Sequence, residues 1–80
     1  MHLEIVTPDA KVFASEVRLV QVPGTDGSFE ILKYHAPIIS TLKKGKVKVI
    51  DEENKEHFFE IEKGVIEVMK NNIIILAEKA

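Results

Sequence analysis

Pro23-Gly24-Thr25-Asp26-Gly27-Ser28-Phe29-Glu30-Ile31-Leu32-Lys33-Tyr34-His35-Ala36-Pro37 is a strand pattern that stops, turns tightly, resumes as an apolar run and stops again. Gly24 and Gly27 accept positive φ without a Cβ clash, and Asp26-Gly27 is a strong tight-turn dipeptide. Pro37 fixes its own φ and pushes Ala36 out of the helical region, so His35-Ala36-Pro37 reads as extended backbone entering a new strand. The polar groups of Thr25, Asp26, Ser28, Glu30 and His35 are thereby expected near loop tips on a stiff frame, where small β domains carry function.

Outward from this stretch the same grammar repeats. Leu3 to Thr7 is a β-rich run ended by Pro8-Asp9. Lys11 to Ala14 and Glu16 to Val22 follow, the second with apolar side chains on both faces towards its end, as in a strand covered on both sides in places. Ser28–Leu32, Ile38–Leu42, Val47–Ile50, Glu56–Ile61, Val65–Met69 and Ile73–Leu76 complete the series. Lys43 to Lys46 reads as a turn with Gly45 in the left-handed region, Asp51 to Lys55 as a polar loop, and Asn71-Asn72 as a tight hairpin turn. No window has the i, i+3, i+4, i+7 spacing of a helix. Short Val-, Ile- and Phe-rich runs without crossover helices predict an all-β fold, a small two-layer antiparallel β-sandwich of about eight to ten strands forming one domain over residues 1–80.

The totals bound the chemistry. Eighty residues bury only roughly 60% of the surface that the unfolded chain exposes. No cysteine is present, so neither disulfides nor cysteine-based zinc sites assist this core. Eleven basic against thirteen acidic side chains give a net charge of −2, with no commitment to nucleic acid. The longest apolar run, Ile73 to Ala77, is too short to span a bilayer, and the N-terminal stretch lacks the basic region of a signal peptide.

Candidate sites weigh towards bland roles. His2, His35 and His57 have no metal-ligand spacing, and His2 and His57 read as surface or turn histidines. His35, set rigidly before Ala36-Pro37, either bonds the backbone of its own loop or meets a partner. Glu60 and Glu62 share one face of a strand and read as solvated carboxylates beside Lys55 and Lys63. Asp26, Ser28 and Glu30 alternate like a fragment of a calcium loop whose other positions are missing. The lysines at 43, 44, 46 and 48 lack interleaved aromatics and read as a solvated hairpin that blunts a sheet edge. Gly24-x-x-Gly27 lacks the lysine and following helix of a phosphate loop, and Ser15, Ser28 and Ser40 have no nucleophile context. Phe13, Phe29, Phe58 and Phe59 read mainly as core. Adjacent Phe58 and Phe59 point to opposite faces, so one of them is expected under a partner or a loop. The expectation is a non-enzyme without cofactor or metal.

The ordered set Leu3-x-Ile5-Val6-Thr7-Pro8, Val12-Phe13, Pro23-Gly24-x-x-Gly27-x-Phe29-x-Ile31-Leu32, His35-Ala36-Pro37-Ile38-Ile39, Gly45-x-Val47, Gly64-Val65-Ile66-Glu67-Val68 and Asn71-x-Ile73-x-Ile75-Leu76-Ala77 resembles the N-terminal β-domain of the ε subunit of bacterial F-type ATP synthase. The resemblance spans Met1 to Ala80 and implies a ten-stranded sandwich on the central stalk. One side would grip the γ subunit and one end would rest on the polar loops of the membrane c-ring, at the cytoplasmic face of the plasma membrane. By position, Asp26, Gly27, Ser28, Phe29, Glu30 and Ile31 would face the c-ring, and Thr7, His35 and Ser40 would lie towards γ. This chain departs from the family at Glu30, Lys33 and Lys63. It also lacks the two-helix hairpin that follows the domain in the family, so neither its inhibition of hydrolysis nor its nucleotide binding is expected. Two other readings are a free-standing ligand- or peptide-binding module using the 25–30 loop or an edge strand, and a small hydrolase or isomerase built on His57, Glu60 and Glu62.

Overall fold

The computed structural model describes residues 1–79. They form eight strands: β1 (His2–Val6), β2 (Lys11–Gly24), β3 (Gly27–Leu32), β4 (Ile38–Leu42), β5 (Gly45–Asp51), β6 (Glu56–Ile61), β7 (Gly64–Met69) and β8 (Asn72–Ala77). Eight strands stand where the resemblance implied ten. Part of the difference lies in β2, which runs through Ser15 as one element and serves both layers.

Strand β2 is fourteen residues long. A straight strand of that length would reach roughly 45 Å, against a longest molecular extent of 26 Å. It therefore bends, and its register against β5 shifts between Val17 and Leu19. Its first half pairs with β1 and its second with β3 and β5. One layer is thus β2–β1–β8–β7–β4 and the other β3–β2–β5–β6.

Period-2 burial places Leu3, Ile5, Val17, Val20, Val22, Ile31, Val47, Val49, Ile61, Ile66, Val68, Ile73 and Ile75 in one shared core. β-Branched side chains dominate it because they fill a pleated surface at little rotamer cost. Phe13 bridges the layers, its ring 5.3 Å from Phe59 and 5.2 Å from His57.

Four expectations need correction. The sandwich is not wholly antiparallel, because β1 and β8 pair in parallel, Leu3 against Ile73 and Ile5 against Ile75. Gly45 is not left-handed; it is required because a Cβ there would sit 2.9 Å from the Pro23 Cβ. Gly24 is likewise a close approach, a Cβ there meeting the Gly27 carbonyl at 2.5 Å and the Phe29 ring at 2.6 Å, while Gly27 alone among the glycines has positive φ, at 137°. The β7–β8 turn is centred on Lys70-Asn71, both at positive φ (49° and 64°), one residue earlier than expected, so Asn72 opens β8.

Candidate interaction surfaces

The β2–β3 hairpin carries the residues expected at the c-ring. Asp26, Gly27, Ser28 and Glu30 are exposed and Phe29 is half-buried against the core. Ile31 departs from this group: its side chain is 0% exposed, opposite Val20 in the ladder, so it anchors the hairpin and offers no side-chain contact.

The three residues expected towards γ do not cluster. Thr7 follows β1 at the end of the sandwich that holds the β2–β3 turn, and its hydroxyl donates to the Ala10 carbonyl at 3.2 Å. His35 precedes β4 at the opposite end, its Nδ1 2.7 Å from the Ala36 carbonyl, the local role weighed for it above. Ser40 sits midway along β4 opposite Ile66, half-buried on the core-facing side.

The register exposes a surface that the sequence reading missed. Thr41 lies opposite Val65, Val65 opposite Leu76, and Leu76 beside Val6, so the four form a row across β4, β7, β8 and β1. All four point away from the core. They line an open groove of about 610 Å³ together with Thr7, Pro8 and Lys63. The next row, Ile39–Glu67–Ile74–Glu4, alternates apolar with acidic side chains, and Ile39 is 73% and Leu76 54% exposed. A signal for this face was present: Ile73 to Ala77 is apolar at every position, which is how a strand covered on both faces reads. An apolar band of this kind marks a docking surface.

The outer face of the other layer is finished with charge. Lys48 Nζ lies 3.5 Å from Glu56 and Lys46 Nζ sits 5.4 Å from the centre of the Phe58 ring. Phe58 is thus the outward member of the phenylalanine pair, while Phe59 packs on the core.

Nothing assembles the hydrolase arrangement. Glu60 on β6 and Glu62 just beyond it are exposed, whereas His57 has opposite parity to Glu60 and bonds Asp51 Oδ2 at 2.9 Å. Asp51 organises the β5–β6 turn, its Oδ1 accepting from the Glu53 amide at 2.8 Å and the Lys55 amide at 3.0 Å. The His57 hydrogen bond, then the Lys55 amide, hold its carboxyl below the usual aspartate value. Among the described residues, no group of three His, Cys, Asp or Glu side chains is placed to hold a metal ion, and no helix is long and apolar enough to cross a membrane.

Known proteins resemble this chain in sequence and in fold. Residues 1–80 match the family model described as ATP synthase, Delta/Epsilon chain, beta-sandwich domain. The ATP synthase epsilon chain of Chlorobium limicola is 46% identical over 76 residues, covering 95% of this chain and 86% of that one. The epsilon chain of Caulobacter vibrioides is 40% identical over 80 residues, covering 100% and 92%. Among solved structures, one chain of the Euglena gracilis mitochondrial ATP synthase (OSCP/F1/c-ring) superposes with a TM-score of 0.90 at 20% identity, over 96% of this chain and 49% of that chain. One chain of the Tetrahymena thermophila mitochondrial ATP synthase central stalk and c-ring superposes at 0.79 with 18% identity, over 96% and 62%. The two structural matches speak for the fold and the sequence matches for descent: the chain belongs to the β-sandwich family of ATP synthase delta/epsilon chains.

Proposed function

We propose that this chain is a non-catalytic rotor subunit of a proton-translocating ATP synthase, joining the γ subunit to the membrane c-ring at the cytoplasmic face of the bacterial plasma membrane. Membership of the epsilon-chain family, at 46% identity to a curated member, carries this reading. The apolar row Thr41–Val65–Leu76–Val6 is the surface that suits a permanent neighbour, and γ is its assigned partner. The exposed tip Asp26–Glu30 stands at the same end of the sandwich and is assigned to the c-ring. Both are carried on one close-packed sandwich, which transmits force with little compression.

Neither the groove nor the smaller hollow at Glu60, Ile61, Glu62 and Lys79 is lined by the 25–30 loop, which gives no support to a ligand site there. Mixing the purified chain with γ is expected to give a stable complex burying at least ~1,000 Å². Absence of binding at micromolar concentration overturns the assignment.

A further inference from the structure

The Asp26–Ser28 tip stands at the end of a two-stranded ribbon, and a ribbon alone is easily twisted. Here it is tied sideways to the other layer at a single place. Gly24 opposite Leu42 is the one register pair between β2 and β4. Around it, the Thr25 amide donates to the Thr41 carbonyl at 3.1 Å and the Lys43 amide to the Pro23 carbonyl at 2.9 Å. The Thr25 hydroxyl donates to the same Thr41 carbonyl at 2.8 Å and lies within hydrogen-bond contact of the Thr41 hydroxyl. The missing side chains at Gly24 and Gly45 let Phe29 and Pro23 close on this point.

Both threonines are exposed. A hydrogen bond in solvent adds little to global stability, because water replaces it when it opens. Its local effect is larger, since it sets the angle between the tip and β4, and Thr41 is also a member of the apolar row. The same residue therefore belongs to the surface assigned to γ and to the tie on the tip assigned to the c-ring.

We propose that Thr25 is a positioning residue whose hydroxyl latches the tip to β4, so that torque passes from the ring-facing hairpin to the γ-facing sheet without slack. The inference rests on the rotor assignment above. In membranes depleted of this subunit and reconstituted with the full chain, Thr25→Val is expected to retain γ capture and lose proton pumping per ATP hydrolysed. In the same variant, amide exchange at Thr25 and Gly27 is expected to rise about tenfold with the cooperative unfolding midpoint unmoved. Thr25→Ser keeps the hydroxyl and is expected to restore both readouts. Unchanged exchange in Thr25→Val overturns the latch, and faster exchange with full pumping overturns its role in torque. If the unaltered chain fails to restore pumping, the rotor assignment fails and the inference falls with it.

Discussion

On the outer face of the β5–β6 layer, apolar side chains stand among charges: Lys46 covers Phe58 and Lys48 pairs with Glu56 across the strands. On the outer face of the other layer, Thr41, Val65, Leu76 and Val6 follow one another across four strands with no charge between them. The first is finished with charge, as a face in water is; the second keeps one uncharged row beside the acidic one, and the rotor assignment proposed above gives that row a protein neighbour.

The largest expected effect tests that contrast directly. Leu76→Asp should weaken γ binding by about a hundredfold or more, as loss of a central apolar anchor does, while Phe58→Asp leaves it within about twofold. Titration calorimetry with purified γ checks both, and the reverse ranking would exchange the roles of the two faces. Next in size is Gly64→Ala on the apolar side. A Cβ there would lie 2.5 Å from the Leu76 carbonyl oxygen, so β7 and β8 must shift, destabilising the fold by about 1–3 kcal/mol in chemical denaturation.

A smaller effect concerns the turn at the edge of the charged face. The Asp51 carboxyl titrates below its ordinary value of 3.8 in the folded chain. A depressed acid binds fewer protons folded than unfolded, so its contribution is present above the ordinary value and lost as pH falls through the lower folded one. Asp51→Asn should therefore flatten the acid limb of the stability profile, as followed by circular dichroism across pH. The smallest effect is expected from Lys48→Ala. Its pair with Glu56 is a surface one, so the change in stability should stay under about 0.5 kcal/mol.

What could be read in the sequence was local. Alternation along Ser28–Leu32, Val65–Met69 and Glu56–Ile61 placed these strands within a residue or two, because period-2 burial is set by the pleat itself. Asp26-Gly27 announced a turn one residue late: the turn residues are Thr25 and Asp26, and Gly27 opens β3 opposite Gly24 with a φ of 137°. Gly24 and Gly45 misled, because their requirement is proximity to Phe29 and Pro23, which are brought close only by the folded layers. Tyr34 gave no warning of its φ of 65°, since a bulky aromatic is a poor left-handed residue; its amide is held by the Asn71 side chain at 3.1 Å, a partner 37 positions away.

The candidate surface was legible only in part for a related reason. The hairpin tip follows from turn chemistry, but the apolar row exists only once four strands are in register. Leu76 and Val6 are seventy positions apart in the chain and adjacent in the sheet. The threonine latch has the same character, because neither Thr25 nor Thr41 is unusual in its own segment.

The parallel seam between β1 and β8 bears on how the molecule is made. β8 sits between β1 and β7, so β1 waits for a strand some seventy residues further along the chain before the gap beside it is filled. Nascent chains that have emerged only as far as Met69 hold Leu3 and Ile5 against an unfinished core, with two apolar margins uncovered. Closure is thus deferred until β8 itself has emerged, a long-range step that favours slow folding and protection by chaperones in the interval.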